Sequence, residues 1–254
     1  MSSLHRLATN LLLRVKIKFG SFPEQKLARE FDIDTSRIKR YRREYQELDL
    51  HNDISAKLDQ KPANTGWERT DRVGEKFELL YTIARILQPD RIIETGVCDG
   101  QSTAILLQAL DQNGSGQLRS IDLPVYQDDQ DPYEDFGSYL PPGESSGWII
   151  PDRLRHRWRL YEGRSDEHLE SIFEDWETVD MFFHDSAHTY DTMSWEYTTA
   201  WPHINPDGLL MSDDTYLPRF RGEGDPFTDF TDSIGQNSIV YLGMGLIRKS
   251  EDAE

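Results

Sequence analysis

The chain has 254 residues, long enough for one α/β domain with a full core plus an appendage. It carries 28 Lys+Arg against 46 Asp+Glu, a formal net charge of −18, which argues against a general DNA or RNA binder. The single cysteine, Cys98, excludes an internal disulfide and a cysteine-based zinc site, and no apolar run approaches the ~20 residues a bilayer span needs.

Among the acids Asp outnumbers Glu, 27 to 19, and only 8 of the basic residues are Lys, a balance that suits a high-salt cytoplasm. No signal peptide is visible, because Leu11–Leu13 is too short for an apolar h-region, so a cytoplasmic protein is expected. Residues 1–49 differ from the rest: they carry a net charge of +4, leaving −22 for the remainder. Leu4, Leu7, Leu11 and Val15 recur at helical spacing, and Gln25–Glu47 reads as a second helical stretch broken near Asp32–Thr35. Residues 1–70 are therefore read as a helical cap on a main domain of residues 71–254. Two other readings of this arm stay open. Leu27–Tyr45 has the loose pattern of a helix-turn-helix, which would make the protein a DNA-binding regulator. Arg6, Arg14, Lys16 and Lys18 beside the leucines would give residues 1–20 a weak attraction to a membrane surface, at the inner face of the cell membrane.

From Asp71 onward strands and helices alternate, the signature of a parallel sheet. Gly74–Leu87 is expected as a helix, followed by strands at Arg91–Glu94, Leu118–Asp122, Trp158–Glu162 and Val179–His184. A helix over Tyr190–Trp201 leads to a turn at Pro206–Gly208 and a fifth strand at Leu209–Met211. Ile239–Tyr241 and Met244–Ile247 form a terminal hairpin about Leu242–Gly243. The long segment 123–151, with Asp128, Asp129, Asp131, Pro141, Pro142 and Gly143, is an insertion at the carboxyl edge of the sheet, where a lid or substrate-binding loop is expected.

The most informative stretch is Arg91–Thr103, RIIETGVCDGQST. A short buried strand ends in Glu94, Gly96 and Gly100 make a turn, and Ser102–Thr103 open an apolar helix. Glycines allow a sharp turn and close approach of a ligand, and the helix start offers free N–H groups and a positive dipole end. Cys98 is read as a small loop residue and not a nucleophile. Glu94 would sit beside a nucleotide-like cofactor. Asp122 ends the next strand 28 residues later, where a carboxylate can accept both hydroxyls of a ribose; its other reading is a turn residue before Pro124. The G-x-x-x-G spacing is not the dinucleotide fingerprint, and no P-loop is present.

A second constellation lies at the ends of the fourth and fifth strands, in His184–Asp185–Ser186–Ala187–His188 and Ser212–Asp213–Asp214. Adjacent parallel strands bring Asp185, Asp213 and Asp214 to one edge, where their mutual repulsion calls for protonation or a cation. Oxygen ligands favour a hard divalent ion, Mg²⁺ first. The alternatives are that one or two of the acids cap the following helices and that His188 is a helix-cap or surface histidine. His184 is read as structural.

Glu94-Thr-Gly96-Val-Cys-Asp-Gly100, then Asp122, then Gly163-Arg164-Ser165 resembles the class I S-adenosylmethionine-dependent methyltransferases over roughly Gly74–Lys249. The resemblance implies a Rossmann-like, seven-stranded, mostly parallel sheet of order 3-2-1-4-5-7-6 with the last strand antiparallel, here with an N-terminal helical extension. It implies a cofactor site of Glu94, Gly96, Gly100, Ser102, Asp122, Gly163, Arg164 and Ser165. The second constellation is similar to the metal-dependent sugar O-methyltransferases and to cephalosporin hydroxylase-like relatives. That likeness implies Mg²⁺ on Asp185, Asp213 and Asp214, with His188 as the general base beside Asp185. The expected reaction is O-methylation of a sugar, at a hydroxyl or a hexuronic acid carboxyl, on a small-molecule or lipid-linked acceptor such as an archaeal surface N-glycan. Of Arg153, Arg155, Arg157 and Arg159, most are read as facing solvent and one or two as candidates for gripping an anionic acceptor, with Tyr190 a candidate for stacking on a sugar. The rival enzyme reading is a metal-binding, hydroxylase-like member of the fold; a homo-oligomer is compatible with either.

Overall fold

A computed structural model of the protein describes residues 21–60, 74–126 and 139–250. The leucine-rich segment 1–20 and the acidic run holding Asp128, Asp129 and Asp131 lie outside these residues, and with them the expected membrane contact and the outer part of the insertion.

The apolar runs expected as strands pair into one sheet. It comprises β1 (Arg91–Thr95), β2 (Gln117–Asp122), β3 (Trp158–Glu162), β4 (Val179–His184), β5 (Ile204–Ser212), β6 (Ser238–Tyr241) and β7 (Met244–Arg248). The order is β3-β2-β1-β4-β5-β7-β6, and β7 runs antiparallel to both β5 and β6, as the resemblance implies. Side chains alternate across the sheet with the period of two that a strand dictates. Ile92, Met181, Phe183, Leu209 and Met211 enter one apolar layer; Ile93, Phe182 and Leu210 enter the other. β5 is longer than expected because Ile204 already pairs with Val179, with an irregularity in register before Met181.

The break at Asp32–Thr35 separates α1 (Glu24–Glu30) from α2 (Thr35–Gln46), where Asp34 caps α2 by accepting from the Ser36 amide at 2.7 Å. α3 (Leu50–Leu58) follows, inside the expected helical cap though not delimited as an element from the sequence. α4 (Glu75–Leu87) and α5 (Gln101–Asn113) cover the first face of the sheet. The buried face of the N-terminal helices (Leu27, Ile38, Tyr41, Tyr45, Ile54, Leu58) joins the same core. Ion pairs Arg42–Glu78 and Arg85–Glu44 lock α2 to α4. α6 (Ser165–Trp176), α7 (Tyr190–Ala200) and α9 (Pro226–Ile234) cover the opposite face; α8 (Leu217–Arg221) is a short link after β5.

The returning half of the insertion is built into the body. The Gly147 amide donates to the Cys98 carbonyl at 2.8 Å, and the indole of Trp148 donates to Asp99 at 2.5 Å. The arginine row before β3 serves the fold: Arg155 donates to the Gly147 carbonyl, Arg157 to the Gly116 carbonyl, Arg153 pairs with Asp53, and Arg159 lies over the Tyr161 ring.

The order reverses between β1 and β4, which opens a crevice at their carboxyl ends. There the chain after β1 presses against the chain after β4. A Cβ on Gly96 would lie 2.0 Å from the Asp185 carbonyl oxygen, and Gly96 has φ +86°. Gly114, with φ +78°, has nothing within 4 Å of that position. Gly96→Ala is therefore expected to cost about 3 kcal/mol from strain and clash together, and Gly114→Ala about 1 kcal/mol from strain alone. Chemical denaturation of the two variants measures the difference; equal losses would show that the Gly96 contact gives way freely.

Candidate functional site

Two polar rows lie under the carboxyl edge of the sheet, one on each face. On the α5 face, strand register sets Glu94 beside Ser120. Glu94 is fully buried and accepts from the hydroxyls of Ser102 at 2.7 Å, Thr103 at 2.8 Å and Ser120 at 2.7 Å. Burial pushes its carboxyl up to about 7 against the pull of those three donors, and the Asp122 charge adds to the rise. Glu94 and Ser102 thus bind each other beneath the glycine loop. Asp122 stands at the end of β2 as expected. One carboxylate oxygen accepts the Val97 and Cys98 amides at 2.7 and 3.2 Å, and the other accepts the Ser146 hydroxyl. An oxygen holding one donor keeps a lone pair for another hydroxyl.

The loop glycines are required by the protein's own packing. The Gly96 position is filled by the Asp185 backbone, and a Cβ on Gly100 (φ +99°) would meet the Gly147 Cα at 2.7 Å and Ile150 at 2.9 Å. Burial pushes the Cys98 thiol up, helped by Asp99 and Asp122, which keeps it protonated and unreactive. At the end of β3 the Gly163 amide donates to the Asp122 carbonyl at 2.9 Å. Arg164 turns outward onto Asp166 at 2.7 Å, and its backbone amide is capped by Glu167 at the start of α6, whose first residue is Ser165.

On the α7 face, register aligns Thr95, His184 and Ser212 across β1, β4 and β5. Glu196 of α7 gathers this row: it accepts from Thr95 at 2.6 Å, lies 2.6 Å from His184 Nδ1 and accepts from Ser186 at 2.8 Å. Burial opposes its ionisation, but His184 outweighs it with help from Thr95 and Ser165, and the carboxyl is held below the usual range. His184 is structural, as expected. Tyr197 meets Ser212 at 2.5 Å and is buried with Trp201, while Tyr190 donates its hydroxyl to Asp229.

Above this row the two acidic tips converge. Asp185, His188 and Asp213 offer ligand atoms that all lie within 4.8 Å of one another. Asp214, the third acid of the expected set, is not among these three; its backbone has φ +45° and its Oδ1 lies 3.8 Å from Lys76 Nζ. The capping alternative does not account for either residue of the first tip, because Thr189 caps α7, accepting from the Thr192 amide at 3.2 Å. Burial, with the Asp213 charge, pushes the Asp185 carboxyl well up. Burial pushes His188 down to about 3, so its imidazole is neutral. Its Nε2 and the Asp213 Oδ1 are buried without a hydrogen-bond partner. Asp213 Oδ1 and the nearby Asp185 carboxyl are oxygen donors that fit a hard cation, and His188 Nε2 stands beside them as an open acceptor.

Lys76 and Glu196 escaped the sequence reading. Lys76 Nζ donates to Asp213 Oδ2 and is raised by its acidic neighbours, Asp213 first, against the effect of burial. One signal was present: Lys76 lies in the first turn of a helix, where the dipole disfavours a cation. Glu196 had no such signal between Trp195 and Tyr197.

Residues 93–215 match the model of a protein family described as a methyltransferase domain. The fold is that of a class I methyltransferase. No curated protein sequence matches the chain. Among solved structures, the O-methyltransferase from Bacillus cereus in complex with SAH is 15% identical, aligned over 80% of this chain and 92% of that one with a TM-score of 0.53. TomG from Streptomyces achromogenes, an O-methyltransferase involved in tomaymycin synthesis and solved with SAM, is 18% identical over 80% and 90% with a TM-score of 0.53. MycE methyltransferase from the mycinamycin biosynthetic pathway, solved with Mg and SAH, is 17% identical over 81% of this chain and 56% of that one with a TM-score of 0.51. At these identities the likeness is one of fold. The domain match is to a methyltransferase domain, and the solved structures add the fold. Among the described residues no helix is long and apolar enough to cross a membrane.

The Glu94 shift fixes a pH dependence. The folded carboxyl titrates near 7 against an ordinary value of 4.5. Stability from the protonated group is complete below the lower value and is lost as pH rises through the higher one, a change of about 3 kcal/mol. Glu94→Gln removes the titration. Wild-type stability is expected to fall by about 3 kcal/mol relative to this variant between about pH 4 and about pH 8, as measured by denaturant unfolding. Parallel profiles would place an ionised Glu94 in the folded protein.

Proposed function

We propose that the protein is an S-adenosylmethionine-dependent O-methyltransferase that uses a divalent cation, Mg²⁺ first, to methylate a sugar hydroxyl. One observation carries this reading: Gly96 of the cofactor-type loop touches Asp185 of the acidic cluster, so a methyl donor on one side of the crevice and an acceptor oxygen on the other would be neighbours. The glycine loop, the α5 N-terminus, Asp122 and the Gly163–Ser165 turn would hold the cofactor, which supplies an electrophilic sulfonium methyl when bound. Asp185 and Asp213 would hold the cation, which orients an acceptor hydroxyl and lowers its pKa.

The chain's own part is alignment and proton handling. In an in-line displacement the acceptor oxygen bonds to the methyl carbon as the carbon–sulfur bond breaks, and the hydroxyl proton must leave. His188 is the acceptor for that proton, since its Nε2 is neutral and unpartnered. A base this weak takes a proton only from a hydroxyl already made more acidic, which is why the carboxylates and the histidine belong to one device. Glu196 and His184 set the strand tip that carries both. A hexuronic carboxyl as acceptor needs no base and would leave His188 to position it. The Asp-rich, Lys-poor composition supports a salt-adapted source and hence an archaeal surface glycan as acceptor.

Calorimetry with S-adenosylmethionine and its demethylated product tests the cofactor half: binding is expected, and absence of heat from both rejects the reading. For the acceptor half, labelled methyl from the cofactor is expected in a glycan extract, in a reaction that stops after EDTA treatment. Asp185→Asn is expected to weaken Mn²⁺ binding by about a hundredfold and to abolish turnover. His188→Ala is expected to lower turnover by about a hundredfold or more with Mn²⁺ affinity retained. A loss of Mn²⁺ affinity in His188→Ala would make His188 a ligand and not the base.

A further inference from the structure

The acidic cluster already contains a cation belonging to the chain. Lys76 reaches from the first turn of α4 to Asp213 Oδ2 and stands 3.8 Å from Asp214 Oδ1. Its ammonium is the charge that allows Asp213, only 3% exposed, to remain in the interior. It does not saturate the site: Asp213 Oδ1 and His188 Nε2 stay without partners. Nothing else among the described residues explains a lysine at this end of a helix, where it opposes the dipole.

We propose that Lys76 is an exchangeable internal cation: its ammonium holds Asp213 and Asp214 when no divalent ion is bound, and an ion reaches full ligation by Asp213 only as Lys76 withdraws. This rests on the reading of the cluster as a cation site. An ammonium and a divalent ion sharing one carboxylate repel each other at contact distance, so each weakens the other's hold on Asp213 and full ligation of the ion favours the withdrawn lysine. Lys76 is well placed to leave. Its side chain is 23% exposed against 4% for that of Asp213, and its four-carbon stem turns freely. The exchange keeps the strand tips folded between cycles and sets the cation affinity lower than the carboxylates alone would give.

Mn²⁺ is the probe, titrated into wild type, Lys76→Gln and Lys76→Arg and read as free Mn²⁺ by electron paramagnetic resonance. Lys76→Gln is expected to bind about tenfold more tightly or better, and Lys76→Arg, which keeps the charge, about as wild type. A second measurement uses unmodified wild-type protein: acylation of lysines by an amine-reactive reagent, read by peptide mass spectrometry. Mg²⁺ is expected to raise labelling of Lys76 several-fold, while Lys57, whose ammonium is held by the Trp148 and Ile150 carbonyls, stays unchanged. If wild type binds Mn²⁺ and Lys76→Gln binds no more tightly, the exchange is overturned and the cation site stands. If Lys76→Gln fails to fold, unchanged Lys76 labelling at saturating Mg²⁺ overturns it in the same way. If neither wild type nor Lys76→Gln binds Mn²⁺, the exchange and the cation site fall together.

Discussion

The reversal of strand order between β1 and β4 governs the rest of this molecule. On either side of that line the connections leave in opposite directions, so the sheet has no loop to cover the gap at its carboxyl edge. Two segments far apart in sequence come within contact there, the glycine turn after β1 and the acidic turn after β4. The Asp185 amide donates to the Thr95 carbonyl at 2.7 Å, which extends the β1–β4 pairing one step past the strands. The absent side chain of Gly96 is what lets the two turns meet. A methyl-transfer site needs its donor and acceptor pockets adjacent, and this contact supplies the adjacency before any ligand arrives.

The cost of the arrangement is electrostatic. Carboxylates are gathered where water is scarce, and burial makes each of them expensive to ionise. The protein meets this in three ways. Glu94 is surrounded by hydroxyls, Glu196 is paired with His184 and hydroxyls, and Asp213 is given an ammonium from another helix. The first two answer each carboxylate with donors from the chain itself. The third leaves Asp213 Oδ1 without a partner, next to His188 Nε2, which also has none. An unfilled donor set of this kind is where an outside cation has something to bind.

Much of this was legible in the chain. The strands were readable because each is a short apolar run closed by Gly, Asp or Pro, and the hairpin because Leu242–Gly243 separates two apolar runs by two residues, both at positive φ as its turn requires. Asp185, Asp213 and Asp214 were readable as acids at one edge since parallel neighbours bring strand ends together, whereas His188 entered only through the resemblance. Less was legible where local pattern carries no charge partner. α3 follows weakly periodic sequence, and its existence depends on the surface it covers; α9 is amphipathic and opens on an Asp225–Pro226 cap that was there to be read. The arginine row before β3 reads as a mostly solvated set with one or two candidates for an anion grip; Arg155 and Arg157 instead donate to carbonyls of the insertion and of the turn before β2, a role that depends on loops distant in sequence.

By itself the sequence determined the alternation of strands and helices, the glycine turn and the acids at strand tips, because these follow from periodicity and from residues within a few positions of one another. Tertiary structure decided which of those acids meet. It set His188 beside Asp185 and Asp213 and brought Lys76 and Glu196 to the two tips from separate helices. Those choices depend on how helices pack against the sheet. Packing is fixed by the whole apolar core, and no local stretch of the chain encodes it.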